Sequence, residues 1–486
     1  MLCMTRTLAL KKETDTSFIA RNRVLQSRGP PALTTFPLDL AGRVCVDRRV
    51  DKSARPAYRR GATQVTSEIT HQATGDGFGI KGSKPTGLTV DLEDVLRCPN
   101  LRSRLTPRPS PFQEADVTGF VSDDDRVLLQ AVHYSSQRSS GATCLGGLPI
   151  VTDFQGMTCI PLPSWGMRAG PRETIYFNPK TVKAAIVTCG GLCPGLNDVV
   201  RSLVANLEDY GVGSTPQSII YGIRYGFAGF LRPEHPPIRL SSKRVDGIQF
   251  QGGTILGTSR GYADINAIVD KLEELEINQL FVVGGNGGNK GANAIHLECC
   301  QRGLAIAVIG IPKSVDNDIL LIDRCFGFDT AVQEAMRVIH AAKVEAKSAL
   351  HGVGLVKLMG RSSGFIAMAA SSCSSEADLV LIPELDFELF GRKGAMTHLS
   401  KVMAKKGHAV VVVAEGAGQN FLGSSGRCDD SGNPILKDVG PWLKREIKDY
   451  FASEEGGGLK IDLKYIDPSY LIRATETTTS DKQYCN

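Results

Sequence analysis

The sequence predicts an α/β protein with mainly parallel sheets, on three observations. From residue 182 onwards, over about 300 residues, short apolar runs of strand length alternate with helical patterns. Most of these runs end in loops rich in glycine or polar residues, and in open parallel sheets functional groups gather at the strand C-terminal ends. One such loop, residues 312–318 (PKSVDND), sets two carboxylates and a hydroxyl directly after an apolar run.

The chain has 486 residues, 42% hydrophobic and 22% charged, which is ordinary for a globular protein and enough for two or three domains. No stretch approaches about 18 uninterrupted apolar residues, which argues against a membrane span. A net charge of +5 is modest for this length and gives no argument for nucleic acid. The 13 cysteines lack paired metal-type spacing: Cys189 and Cys193 flank a glycine-rich turn, and Cys299 and Cys300 are adjacent. They read as reduced, buried or incidental thiols, and no zinc site is expected.

Residues 1–60 hold 13 Lys plus Arg against 5 Asp plus Glu, mixed with Ser, Thr, Ala and Pro and without sustained periodicity. This reads as a transit peptide running into disordered chain; Glu13 and Asp15 come early for such a signal, and a plain extension fits too. Residues 61–95 offer no clear element. Breakers at 107–111 and an acidic turn entering an apolar run at 122–127 mark residues 96–180 as an appended segment.

Residues 183–188 (KAAIVT) read as a strand, 189–197 (CGGLCPGLN) as a glycine-rich turn and 198–207 as a helix, a unit that lays backbone N–H groups against phosphate. A structural tight turn fits as well, and the spacing is not G-x-G-x-x-G. The unit recurs as strand 278–283 (NQLFVV), turn 284–291 (GGNGGNKG) and helix 292–301. Its five glycines suit close approach of a ligand and φ angles closed to other residues. Between the two units, 221–230 (YGIRYGFAGF) and 252–261 (GGTILGTSRG) set Arg224 and Arg260 beside glycines. These are surface arginines by default, and phosphate clamps if both turns face one ligand.

Residues 304–311 form the next short strand, ended by proline. In the loop that follows, Asp316 and Asp318 can lie on one side of the backbone, so that one takes a proton while the other helps hold a cation. Read alone, such an Asp-Asn-Asp cluster is more often an Asx turn or a helix cap. A helix at 331–349, a strand at 352–358 (GVGLVKL), a turn at 359–364 (MGRSSG) and a small-residue helix through 370 come next. Buried strands at 378–382 and 408–414, the latter ending in Glu415 and Gly416, precede a last strand at 460–465 that runs into 467–473 (DPSYLIR).

Taken in order, CGGLCPGLND, GGTILGTSRG, GGNGGNKGA, IPKSVDNDI, FGFDTAVQEA, KLMGRSSGFIA, AEGAGQNF and YIDPSYLIRA resemble the motifs of ATP-dependent 6-phosphofructokinases. DDDRVLL, RAGPRETIYF and the GGNG form followed by GANAIH are similar to the plant-type, plastid group. The resemblance runs from about residue 175 to 481. It implies two doubly wound, mainly parallel three-layer subdomains, 181–320 for ATP and 321–486 for fructose 6-phosphate, behind an extension over 1–95 and the segment 96–180. It implies that Asp316 takes the proton from the sugar 1-hydroxyl, that Asp318 beside it organises Mg²⁺ or the phosphoryl group, with Asn286 as the other metal-side residue, and that Arg361 contacts the transferring phosphoryl group or the sugar phosphate. Lys313, Ser314, Met359, Gly360, Glu415, Tyr470 and Arg473 fall on the sugar-phosphate side. Gly191, Arg224, Tyr225 and Arg260, with Gly284, Gly285, Asn286, Gly287 and Gly288, fall on the nucleotide side. The implied product is fructose 1,6-bisphosphate, made by a homo-oligomer (a tetramer) in the chloroplast, with cytoplasm as the alternative and neither nucleic acid nor membrane as partner.

Gly287 stands where pyrophosphate-dependent relatives place an aspartate, whose carboxylate would crowd and repel the α-phosphate of a nucleotide, so ATP is the implied donor. Ser314 replaces the family's usual Thr and keeps the hydroxyl. Gly288 replaces Thr or Ser, and the lost hydrogen bond is worth on the order of 1 kcal/mol, so weakened rather than abolished catalysis is expected. The family pattern continues beyond the position of Asp481, so a shortened substrate subdomain is expected as well. Together these two departures motivate an alternative, a weakly active or inactive regulatory subunit. A nicotinamide dehydrogenase is disfavoured by the missing G-x-G-x-x-G fingerprint.

Overall fold

The computed structural model describes residues 100–113, 119–129, 165–261, 264–319, 322–428 and 434–486, with strand segments at 95–96, 150–152 and 159–161. The expected transit peptide lies outside the described residues. From residue 183 on, two sheets, one mainly and one wholly parallel, carry the described chain. The first has strands β1 (Lys183–Cys189), β2 (Ile219–Ile223), β3 (Ile238–Leu240), β4 (Gln279–Gly284) and β5 (Ala307–Pro312) in the order β3-β2-β1-β4-β5, with only β3 antiparallel. The second has β6 (Gly352–Leu358), β7 (Leu379–Leu381), β8 (Ala409–Ala414) and β9 (Asp462–Ile466) in the order β7-β8-β6-β9, all parallel.

The apolar runs are continuous because both faces of each sheet are covered. Side chains alternate faces along a strand, so residue parity sorts the core. Ala185, Val187, Leu280 and Val282 meet helices α2 (Ile265–Glu274) and α3 (Asn286–Gln301), whereas Ala184, Ile186 and Phe281 meet α1 (Leu196–Asp209). In the second sheet Val356, Leu358, Val410 and Val412 pack on α4 (Phe328–Ser348) and α5 (Phe365–Ser374). Val353, Leu355, Val411 and Val413 pack on α6 (Ala395–Lys406) and α7 (Val439–Ala452). Two short helices close the chain, α8 (Ser469–Arg473) and α9 (Thr479–Cys485), the latter lying against α1 and α4.

One expectation needs correction. The turn read over 284–291 ends at Gly285, and α3 starts at Asn286, so Gly287, Gly288 and Gly291 are helical. None of the five glycines has a positive φ. Gly288 and Gly291 are small because the helix packs closely: a Cβ at Gly288 would lie 3.2 Å from Cys189 Cβ, and one at Gly291 would lie 2.6 Å from the Phe227 ring. The preceding segment is fastened to this layer, since Arg104 donates to the carbonyls of Gly303 and Leu304 and the Phe112 ring meets Tyr210 at 4.7 Å. Among the described residues no helix is long and apolar enough to cross a membrane.

Candidate active site

Three strands of the first sheet end in register at Cys189, Gly284 and Pro312, so the loops after them share one edge. Lys313 N donates to Gly284 O at 3.0 Å, and its buried Nζ donates to Gly191 O at 2.7 Å, stitching the three loops together. Burial pushes the Lys313 ammonium below its ordinary pKa. Gly190 and the 258–260 loop are similarly joined: Gly190 N donates to Ser259 O at 3.0 Å and Thr258 Oγ1 to Gly190 O at 2.7 Å. A Cβ at Gly191 would lie 3.5 Å from Arg473 Nη1 and 3.6 Å from Arg260 Nη2, so two guanidinium groups converge on bare backbone. With Leu192, Thr258, Ser259 and Tyr470 they line a cleft of about 290 Å³. Two like charges drawn together in this way suit an anion with several oxygens.

The loop after β5 is shaped by Asn317, which adopts φ 57° and bridges the chain beyond: its Nδ2 donates to Asp323 O at 3.0 Å and its Oδ1 accepts from Cys325 N at 2.7 Å. Asparagine tolerates this left-handed conformation better than most residues. The turn thus presents Asp316 to the second sheet, where Arg361 N donates to Asp316 Oδ2 at 3.4 Å and Ser363 Oγ to Asp316 O at 3.1 Å. Burial, then the charges of Asp318 and Glu415, push the Asp316 carboxyl up to about 7. Asp318 is exposed and accepts from Ser314 Oγ. So the Asp-Asn-Asp cluster is both a turn and a carboxylate pair: Asn317 makes the turn, and the aspartates stay available.

On the second sheet β6 and β8 end in register at Leu358 and Ala414. Glu415 N donates to Leu358 O and Gly416 N to Gly360 O, closing the 359–364 loop against Glu415. Gly360 has φ 129°, and a Cβ there would lie 2.2 Å from Ser363 O, so only glycine fits. Met359 is buried, and Arg361 Nη2 donates to Pro434 O at 2.9 Å. Burial raises the Glu415 carboxyl, while Arg361, Lys357 and Arg473 pull it down. Tyr470 is 80% exposed and lies under the Arg473 guanidinium, 4.7 Å from ring centroid to Cζ.

The structure thus brings together Gly191, Arg260, Tyr470 and Arg473 around one cleft, and Asp316 with Arg361, with Lys313 joining the first three loops. Arg224 and Tyr225 do not line that cleft. Arg224 Nη2 is engaged by His235 Nδ1 at 2.9 Å, and Tyr225 stacks on the backbone of Gly257, where a Cβ would lie 2.7 Å from its ring. Sequence reasoning passed over Thr258, Ser259, Asn317 and Ser363, although the first two stand inside the GTSRG motif and the third inside VDND. The cysteines here are not nucleophiles, since burial pushes the Cys189 and Cys193 thiols up to about 12. Among the described residues no group of three or more His, Cys, Asp or Glu could hold a metal ion by itself. A carboxylate pair beside an anion cleft instead suits Mg²⁺ arriving with phosphates, which keeps few protein ligands. A larger apolar cleft of about 640 Å³, lined by Leu203, Phe281, Ile309 and Ile311 with Arg102 and Arg324, lies beside α1 and has no carboxylate side chain in its lining.

Residues 183–486 match the family model described as phosphofructokinase. The chain is 51% identical over 367 residues to ATP-dependent 6-phosphofructokinase 5, chloroplastic, of Arabidopsis thaliana, covering 76% of this chain and 65% of that protein. It is 49% identical over 446 residues to ATP-dependent 6-phosphofructokinase 4, chloroplastic, of the same plant, covering 88% and 77%. It thus spans slightly under two thirds of the length of the first relative. Among solved structures, the pyrophosphate-dependent phosphofructokinase of Marinobacter aquaeolei aligns with a TM-score of 0.50 at 21% identity, covering 63% of this chain and 73% of that one. That of Nitrosospira multiformis aligns at 0.50 and 22%, covering 63% and 74%. At such identities they share the fold.

Proposed function

The chain belongs to the phosphofructokinase family, and we propose that it transfers the γ-phosphoryl group of ATP to the 1-hydroxyl of fructose 6-phosphate, releasing ADP and fructose 1,6-bisphosphate. The observation that carries this reading is Asp316: a carboxyl at about 7, at the end of one sheet and hydrogen-bonded to the 361 main chain of the other, beside a cleft where two arginines converge. A base poised near neutrality is suited to taking a proton from an alcohol.

In this reading the sugar 1-oxygen attacks the γ-phosphorus in line, its proton passes to Asp316, and the bond to the β-phosphate bridging oxygen breaks. Arg361 and Arg260 offset the charge on the transferring group, and Arg473, Tyr470 and Glu415 hold the acceptor, with Met359, Gly360, Lys313 and Ser314 shaping its pocket. Gly191, Gly284, Gly285, Asn286, Gly287 and Gly288 give the nucleotide backbone to lie on, with Tyr225 packed at Gly257 beside the 258–260 loop and Arg224 held by His235 next to it. Asp318 and Asn286 would hold Mg²⁺, which when bound neutralises phosphate charge. The first sheet with its helices (181–320) is then the ATP half and the second (321–486) the sugar-phosphate half. The chloroplastic relatives support one further part of the proposal, a chloroplast location; assembly as a homo-oligomer is proposed on the family resemblance alone.

The test is ADP release by the purified chain with fructose 6-phosphate and Mg·ATP, run beside inorganic pyrophosphate. Turnover with ATP is the expected outcome. Turnover with pyrophosphate alone would overturn the donor assignment, which rests on Gly287.

A further inference from the structure

We infer that Lys357 positions the sugar-phosphate side of the cleft, acting through Asp467 on helix α8 without touching a ligand. The inference rests on the reading above, in which Tyr470 and Arg473 hold the acceptor. Lys357 shares a face of β6 with Val353 and Leu355, which are fully buried, and its own side chain is only 12% exposed. A lysine in such a row is almost always paired. Here Nζ lies 2.8 Å from Asp467 Oδ2 and 3.0 Å from Asp438 Oδ1. Burial opposes the charge, and the two carboxylates outweigh it.

Both partners sit at helix starts. Asp438 Oδ1 accepts from Gly440 N at 3.1 Å and so caps α7. The free oxygen of Asp467, Oδ1, accepts from Ser469 N at 3.1 Å and from Ser469 Oγ at 2.6 Å, at the first residue of α8. Helix α8 has five residues, and Tyr470 and Leu471 are 80% and 76% exposed. Ile472, buried against α4, is its one deep apolar anchor and holds its middle in place, while the polar links at its start set its direction. From there Arg473 reaches across to Gly191 on the first sheet. Lys357 thus connects β6, through one carboxylate, to the group that closes the cleft. The same strand runs on into Met359, Gly360 and Arg361, so one backbone sets both the phosphoryl loop and the acceptor arm.

A stability staple acting through α7 would use the same lysine, and the two aspartates separate the cases. Steady-state kinetics on the full chain would compare Lys357→Met, Lys357→Arg, Asp467→Asn and Asp438→Asn. Lys357→Met and Asp467→Asn are expected to raise KM for fructose 6-phosphate about tenfold or more while leaving kcat and KM for ATP within about threefold. Lys357→Arg should recover most of the loss, and Asp438→Asn should lower the melting temperature with little change in KM. The inference is overturned if Asp438→Asn raises KM as much as Asp467→Asn, or if Lys357→Met lowers kcat and raises both KM values together. Should Lys357→Met fail to fold, the two aspartate variants decide. If the parent chain shows no turnover, the proposed reaction fails and calorimetric binding of fructose 6-phosphate takes over: weaker binding by Asp467→Asn than by Asp438→Asn supports the inference, and equal binding overturns it.

Discussion

Burial and two neighbouring carboxylates oppose ionisation of Asp316, and the Arg361 N–H and charge only partly compensate. Because its folded pKa of about 7 exceeds the ordinary value of about 3.9, the unfolded chain ionises first as pH rises. The stabilising effect of the protonated form is therefore complete below about 4 and is lost as pH climbs to about 7. Asp316→Asn should be more stable than the parent at pH 8, by on the order of 1 kcal/mol or more, with the gap closing towards pH 4 in denaturant titrations. The same change should lower kcat by about 10²- to 10⁴-fold, and kcat/KM of the parent should fall as pH drops through about 7. A variant that is less stable at pH 8 would show that burial does not set this group's titration. Gly288 is a milder case: it lacks the hydroxyl, and the space a side chain would need is narrowed by Cys189 at 3.2 Å.

At the scale of elements, most of the frame was legible because both sheets are covered on two faces and the central strands read as apolar runs, whereas the edge strands β3 (IRL) and β9 (DLKYI) carry charged residues. The strand expected at 352–358 is observed as Gly352–Leu358, and others shift by one to three residues. The start of α3 was misread for a physical reason: glycine is read as turn chemistry, whereas here it is a packing residue inside a helix whose neighbours supply the stability. Likewise Lys357 was invisible, because strand parity marks it for a core face and only the fold brings Asp438 and Asp467 to it. Asn317 stood in plain view, yet its role depends on contacts six and eight residues on. Gly291 gives a direct test of the packing account. Alanine is the better helix former by about 1 kcal/mol, but its Cβ would lie 2.6 Å from Phe227, and overpacking costs about 1–3 kcal/mol. Gly291→Ala should therefore lower the urea midpoint, and a rise would mean that propensity outweighs the clash.

For the whole molecule, chemistry depends on holding the strand ends of two separate sheets opposite each other. Asp316 to Arg361 and Arg473 to Gly191 span the gap between the two sheets, but in the proposed reaction both are contacts of the reacting groups themselves. A second set lies away from it. Thr477 Oγ1 donates to Asp198 Oδ2 at 2.6 Å at the start of α1, and the buried Asp481 accepts from Thr330 N at 2.7 Å and from Thr330 Oγ1 at the start of α4. The residue that caps α4 by position is Gly327, which has no side chain to offer, so Asp481 supplies the missing acceptor from far along the chain. Since α9 lies against both helices, the segment that carries Asp481 fixes the spacing of the two halves. Asp481→Ala removes the cap and leaves a buried N–H unpaired, at a cost of about 2–3 kcal/mol. Urea unfolding should show that loss, Asp481→Asn should recover part of it through its amide oxygen, and KM should rise for both substrates together because neither half is damaged alone. A variant as stable as the parent, or one that weakens a single substrate, would show that this segment does not set the spacing of the two halves.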